Sequence, residues 1–313
     1  MQTPADYAAR YEKLTIPSLD GSADLATNIA VDKYLLGVSP DAVNERARVG
    51  KKIQKDLAIR RKADKSARIS ARVETPDGIV EHVFDDLTFK ADDQLWMLLR
   101  YPYGGKGSPE GIQALLQLAA VDLPGSPAAI KPADFQAYCN KWLGLDCNGL
   151  VGNYLRHVYQ GIDWWDIATS KGVDPNTSIQ VIWDALEGTE RTSAAAVDFH
   201  DLNMLAMIDD ATGKIKPGGP GKPSGHIMIS QPREIEYDTG LKSALGVPDD
   251  QEVPGLIVLE STAAKDVADK KNGVAKSAYA FADKPKAKGV IWVRRGLNNG
   301  KISVRIKGAK WNG

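Results

Sequence analysis

The segment Leu145-Asp146-Cys147-Asn148-Gly149-Leu150-Val151 places a thiol beside a carboxylate, just ahead of an apolar run. Leu150, Val151, Tyr154, Leu155 and Val158 form a stripe that predicts a helix over roughly 147–160, with Gly161 as its stop. Asp146 is suited to cap that helix, which puts Cys147 in its first turn. There, unpaired backbone N–H groups and the positive end of the helix dipole favour thiolate over thiol, and thiolate is the nucleophile. Gly149 lets a second backbone or a substrate come close. The residue types leave another reading open: a buried core cysteine, a common fate of a free thiol.

A sulfur nucleophile needs a base, and the chain has four histidines. His157 lies on the same predicted helix as Cys147, about 15 Å along its axis, too far for a hydrogen bond. His82 falls in a predicted hairpin and His200 just before a strand, and both read as surface or structural positions. His226 follows a loop ending Pro223-Ser224-Gly225 and opens the run Ile227-Met228-Ile229. A base at the mouth of a strand, beside a cleft-shaping loop, is a workable arrangement. Farther on, Leu256-Ile257-Val258-Leu259 ends in Glu260. A carboxylate there can hold the base and stabilise its imidazolium, or simply close a strand in solvent. Glu234 and Glu236 are rivals, nearer the end of the His226 strand. Cys139 reads as a thiol of the core or one packed behind the nucleophile. A disulfide between the two cysteines is not expected in a reducing compartment.

Together these segments resemble the NlpC-type papain-like cysteine peptidases. The carriers are Asp146-Cys147-Asn148-Gly149-Leu150-Val151 and Gly225-His226-Ile227-Met228-Ile229. The usual family motif is Asp-Cys-Ser-Gly-Leu-Val, so Asn148 stands where serine is common. A Gly-Asp-Leu/Val segment usually precedes the histidine strand. Its counterpart here is His200-Asp201-Leu202-Asn203-Met204-Leu205, with His200 in place of glycine. The resemblance covers roughly residues 130–262. It implies a papain-like α+β fold, with helices packed on a mainly antiparallel β-sheet. It also implies a catalytic set of Cys147, His226 and Glu260, although His, Asn or Gln is commoner at the third position. An upstream tyrosine helps bind substrate in the family; Tyr138 is the nearest match, and Gly149 joins it as a substrate-binding candidate.

The activity implied is hydrolysis of an amide bond in peptidoglycan stem peptides, by a D,L-endopeptidase or an N-acetylmuramoyl-L-alanine amidase. The implied partners are that peptide and an immunity or delivery protein. Two other readings stay open. One is an acyltransferase, thioesterase or deamidase acting on a cytoplasmic or host target; the other is an inactive binding protein of the same fold. The N-terminus Met1–Asp6 lacks the basic start and apolar stretch of a secretory signal. Synthesis in the cytoplasm is therefore expected. Release by lysis, as for a phage lysin, or a dedicated export route, as for an antibacterial effector, would reach the wall.

The elements that must position these groups are partly readable. At 313 residues the chain is long enough for about two domains. The glycine-rich break Tyr101–Gly107 suggests a boundary between an N-terminal helical and hairpin region (1–105), whose role is unread, and a hydrolase domain (106–313). Residues 40–66 read as a helix with a basic cluster, either a solvated face or a polyanion site. Ile69–Glu74 and Ile79–Phe84 alternate around Thr75-Pro76-Asp77-Gly78, a hairpin signal. Ser108-Pro109-Glu110 opens one helix and Pro132 another, which ends by Gly144. Met204–Ile208, His226–Ser230, Leu256–Glu260, Val290–Val293 and Ile302–Ile306 read as strands, with Lys214–Gly225 as a loop and 263–288 as a solvated excursion. Trp164, Trp165 and Trp183 suit core packing or a cleft wall.

Lys plus Arg and Asp plus Glu both number 40, which argues against a nucleic-acid partner. No apolar run approaches the roughly 20 residues of a membrane span. Two cysteines exclude a disulfide scaffold. No metal or cofactor is expected. His-x-x-x-His and Cys-x-x-Cys pairs are missing, and Tyr103–Ser108 lacks the spacing of a phosphate loop.

Overall fold

The computed structural model describes residues 2–18, 22–31, 33–34, 40–66, 69–84, 94–120, 130–166, 175, 177–217, 225–232, 248, 250, 255–262, 273–281, 289–295 and 300–309. The chain opens with α1 (Pro4–Ala9), capped by Thr3, and a hairpin of β1 (Leu14–Pro17) and β2 (Asp24–Ile29). The long helix α2 (Pro40–Ala63) follows, then the expected hairpin of β3 (Ser70–Thr75) and β4 (Gly78–Val83). Gly78 takes φ +119, a conformation that glycine adopts without strain.

Helix α3 (Gln94–Tyr103) runs into the stretch read as a glycine-rich break. Pro102 sits near its C-terminal end, and the buried Leu98, Leu99, Tyr101 and Tyr103 hold it to the core. Helix α4 (Pro109–Ala119) begins as its sequence demands. The Ser108 hydroxyl accepts the Gly111 N–H at 3.0 Å, and Pro109 takes the first turn. Every residue of α4 is buried, so its polar side chains need partners. Gln113 and Gln117 find them on β3, accepting the Glu74 N–H at 2.6 Å and the Arg72 N–H at 2.8 Å. Next come α5 (Pro132–Trp142), α6 (Cys147–Asn153) with a π-helical continuation (Tyr154–Tyr159), and α7 (Ile179–Ala185).

The remaining strands are β5 (Thr189–Arg191), β6 (Leu202–Met207), β7 (Ile227–Ser230), β8 (Gly255–Thr262), β9 (Gly273–Phe281), β10 (Ile291–Arg295) and β11 (Gly300–Ala309). They overturn the expected papain-like α+β arrangement of helices laid on an open sheet. Strands β6 to β11 close into a six-stranded antiparallel barrel, because β10 pairs with both β9 and β11 while β11 also pairs with β6. The short β5 adds to the side of β11. The expectation failed at β9, which lies inside the segment read as a solvated excursion. With β9 missing, no strand links β8 to β10, and the ring stays open.

Alternation decides what fills the barrel. Leu205, Met228, Leu256, Val258, Tyr279, Ile291, Val293, Val304 and Ile306 form one buried cluster, drawn from all six strands. Their neighbours Met204, Ile227, Ile229 and Leu259 point outward and join a larger cluster with Leu150, Leu155, Ile112 and Leu115 from the helices. That outer cluster also takes in Tyr7, Leu14, Ile53 and Leu98 from the first hundred residues. Trp164 and Trp183 belong to it as core side chains. Among the described residues, no helix is long and apolar enough to cross a membrane.

Candidate active site

Helix α6 owes its position to backbone contacts around its first turn. The Leu145 N–H donates to Lys33 O at 2.8 Å, and Leu145 O accepts the Ser261 hydroxyl of β8 at 2.9 Å. The Asp146 N–H donates to Gly105 O at 3.0 Å. The Asp146 carboxylate caps the helix by accepting the Gly149 N–H at 2.7 Å and ion-pairs with Lys106. Burial pushes the Asp146 carboxyl up, and Lys106 and the backbone donors oppose that shift. Asn153 closes the arrangement by donating to Lys106 O and Gly149 O, both at 2.8 Å.

Cys147 therefore occupies the first helical position, 7% exposed. Its thiol lies 3.6 Å from the Asn148 amide oxygen, and sulfur is near enough to His226 to raise the imidazole electrostatically. Asn148 is itself anchored, donating to Thr177 O at 2.8 Å.

His226 immediately precedes β7, and its carbonyl accepts the Met207 N–H of β6 at 2.9 Å. Its Nε2 meets Glu260 Oε2 at 2.6 Å. The imidazole is buried, and burial alone would disfavour its charged form. The hydrogen bonds and charges of Cys147 and Glu260 outweigh burial and raise His226 to about 9. Glu260 sits on β8 in the same alternation as Leu256 and Val258, so its carboxylate faces the barrel interior and is fully buried. It is not a solvated strand end. Glu234 and Glu236, its rivals in the sequence, lie outside the described residues, as do Pro223 and Ser224 of the preceding loop.

One member of the site was not foreseen. The Tyr279 hydroxyl of β9 donates to Glu260 Oε2 at 3.1 Å. The signal was present as alternation through Gly273–Phe281, but the Lys, Ala and Asp of 263–288 made the whole segment look solvated.

The structure thus brings Cys147, His226 and Glu260 together. It gives the two other candidates different surroundings. The Tyr138 hydroxyl on α5 is buried against that of Tyr103, at 2.5 Å. At Gly149, a Cβ would lie 2.0 Å from Gly105 O, so close backbone packing is what requires glycine there. Of the remaining histidines, His157 is half-buried, and desolvation pushes it down to about 4, with Nδ1 on Ile162 O. His82 stacks on Trp165 with ring centres 5.1 Å apart, and His200 lies in a turn before β6. Cys139 is a free core thiol, pushed up to about 12 by burial. The cleft lined by Arg10, Lys13, Glu74 and Gln113 lies elsewhere and touches no member of the set.

Charge, geometry and burial here define a thiol–imidazole–carboxylate site at the end of a β-barrel. No protein-family model, curated protein or solved structure matches the chain.

Proposed function

We propose that this chain is a cysteine-dependent hydrolase that cleaves an amide bond in peptidoglycan stem peptides, as a D,L-endopeptidase or an N-acetylmuramoyl-L-alanine amidase. The observation that supports hydrolysis is that His226 is bonded to the buried Glu260 and is raised by Cys147, whose thiol sits in the first turn of α6. The raised imidazole beside sulfur is charged at neutral pH and can support negative charge on sulfur as it attacks. The wall substrate is supported by the motif resemblance at residues 146–151 and 225–229.

In the reaction, sulfur attacks the amide carbonyl. The N–H of Cys147, at a helix start where no intrahelical acceptor exists, is placed to meet the oxyanion. The His226 imidazolium gives its proton to the leaving amine as the C–N bond breaks. Neutral His226 then takes a proton from water, whose oxygen attacks the thioester and frees the acid. Glu260 holds the ring and stabilises its charge throughout.

The deciding experiment digests purified sacculi with wild type and Cys147→Ala and identifies the products by mass spectrometry. New amine and carboxyl termini from wild type alone are expected. Equal products from both proteins would remove Cys147 from the reaction. No products from wild type, despite rapid alkylation of Cys147 by iodoacetamide, would keep the nucleophile and reject the wall substrate.

A further inference from the structure

The acids and bases of this neutral chain are not evenly spread. Residues 44–63 of α2 carry eight Lys or Arg and two carboxylates. The helix packs through Gly50, Ile53 and Leu57, which are buried, and its main neighbour is α3. Opposite that face, Arg48, Lys51, Lys52, Lys55, Ile59 and Lys62 are all exposed. Their spacing of i, i+3, i+4, i+7, i+11 and i+14 makes one straight stripe about 21 Å long. Glu45 and Asp56 only flank it, Asp56 pairing with Lys52 at 3.3 Å.

Three features of the stripe select its partner. It is rich in lysine, which binds anions as a point charge without the planar fork that arginine uses to read single phosphates. It is straight, suiting a flat surface. Near its C-terminal end, between Lys55 and Lys62, stands Ile59, 55% exposed and among the most exposed large apolar side chains described. A soluble polyanion has no use for that side chain, whereas a bilayer interface does. We propose that the outer face of α2 docks the protein on an anionic lipid bilayer, lysines against the headgroups and Ile59 at the acyl boundary. The inference is independent of the hydrolase reading.

The test is sedimentation of the full chain with vesicles of phosphatidylcholine alone and with one-third phosphatidylglycerol added. Wild type should partition to the anionic vesicles only, and salt should release it. The variant Lys51→Gln/Lys55→Gln/Lys62→Gln should bind about 100-fold more weakly. Ile59→Ser should weaken binding about fivefold at every salt concentration. All three substituted lysines and Ile59 face solvent, so circular dichroism should show each variant folded. Equal binding to both vesicle types, or unchanged binding by the triple variant, would overturn the proposal. Binding to duplex DNA without binding to vesicles would overturn it too, and would assign the stripe to a nucleic acid.

Discussion

The hydroxyl of Tyr279 and the imidazole of His226 converge on one oxygen of Glu260, at 3.1 and 2.6 Å. The carboxylate is fully buried at the end of the barrel, so these contacts take the place of water. Tyr279 thereby fixes the carboxylate that fixes the base. It is a positioning residue, separated from sulfur by both Glu260 and His226.

Replacing Tyr279 with phenylalanine keeps the ring in the barrel and deletes one hydrogen bond to a charged acceptor. Stability to urea should fall by about 1–3 kcal/mol. Hydrolysis should slow while KM stays near its wild-type value, because the tyrosine acts through the carboxylate. A midpoint and kcat both equal to wild type would show that Glu260 is held without it.

Glu260→Gln tests the electrostatic half of the arrangement. Glutamine fills the same space but carries no charge to support an imidazolium. Burial would then act on His226 with less opposition, and its titration should move down from about 9. The alkaline limb of kcat should move to lower pH with it. A fall in kcat of about 10⁴-fold is expected for a lost carboxylate of this kind. The His226 ring resonances, followed by NMR against pH, check the shift directly, and an unmoved titration would contradict it.

The dyad was legible because each partner has a local signature. A capping aspartate and an apolar stripe announce the start of α6, and an aliphatic run announces β7. Glu260 was legible as the end of an aliphatic strand, but not as an interior group, since that depends on which face of β8 the barrel encloses. Barrel closure was not legible at all. It rests on β10 pairing with strands on both sides, a non-local choice that alternation within one strand cannot encode. Tyr279 was lost with β9, whose alternation was masked by the Lys, Ala and Asp of the surrounding segment 263–288. In the N-terminal half, the β3–β4 turn spoke for itself, whereas Pro102 and Gly104 disguised the end of α3 as a break.

The raised imidazole also ties folding to pH. An unfolded histidine titrates near 6.5, and His226 in the fold at about 9. Its contribution is therefore complete below about pH 6.5 and disappears as pH rises through 9. The gap corresponds to about 3 kcal/mol. The stability difference between wild type and His226→Gln, measured by denaturant titration, should shrink by an amount of that order between pH 6 and pH 9.5. A difference that stays constant or grows over this range would mean that the folded imidazole is not raised.

Gly149 gives the sharpest steric prediction. A methyl group there would meet Gly105 O at 2.0 Å and the Lys106 Cα at 3.2 Å, both backbone atoms with little room to move. The same loop is pinned to α6 by Asp146 and Asn153, so relief requires breaking those bonds or shifting the helix start. Gly149→Ala should thus cost about 3 kcal/mol or more, at the upper end of overpacking effects. Alanine is otherwise the better helix former by about 1 kcal/mol, which sets the sign against simple propensity. Because Cys147 rides on the same turn, the variant should also alkylate with iodoacetamide at a changed rate under conditions where it remains folded. A variant as stable as wild type, with Cys147 equally reactive, would show that α6 is not seated against Gly105.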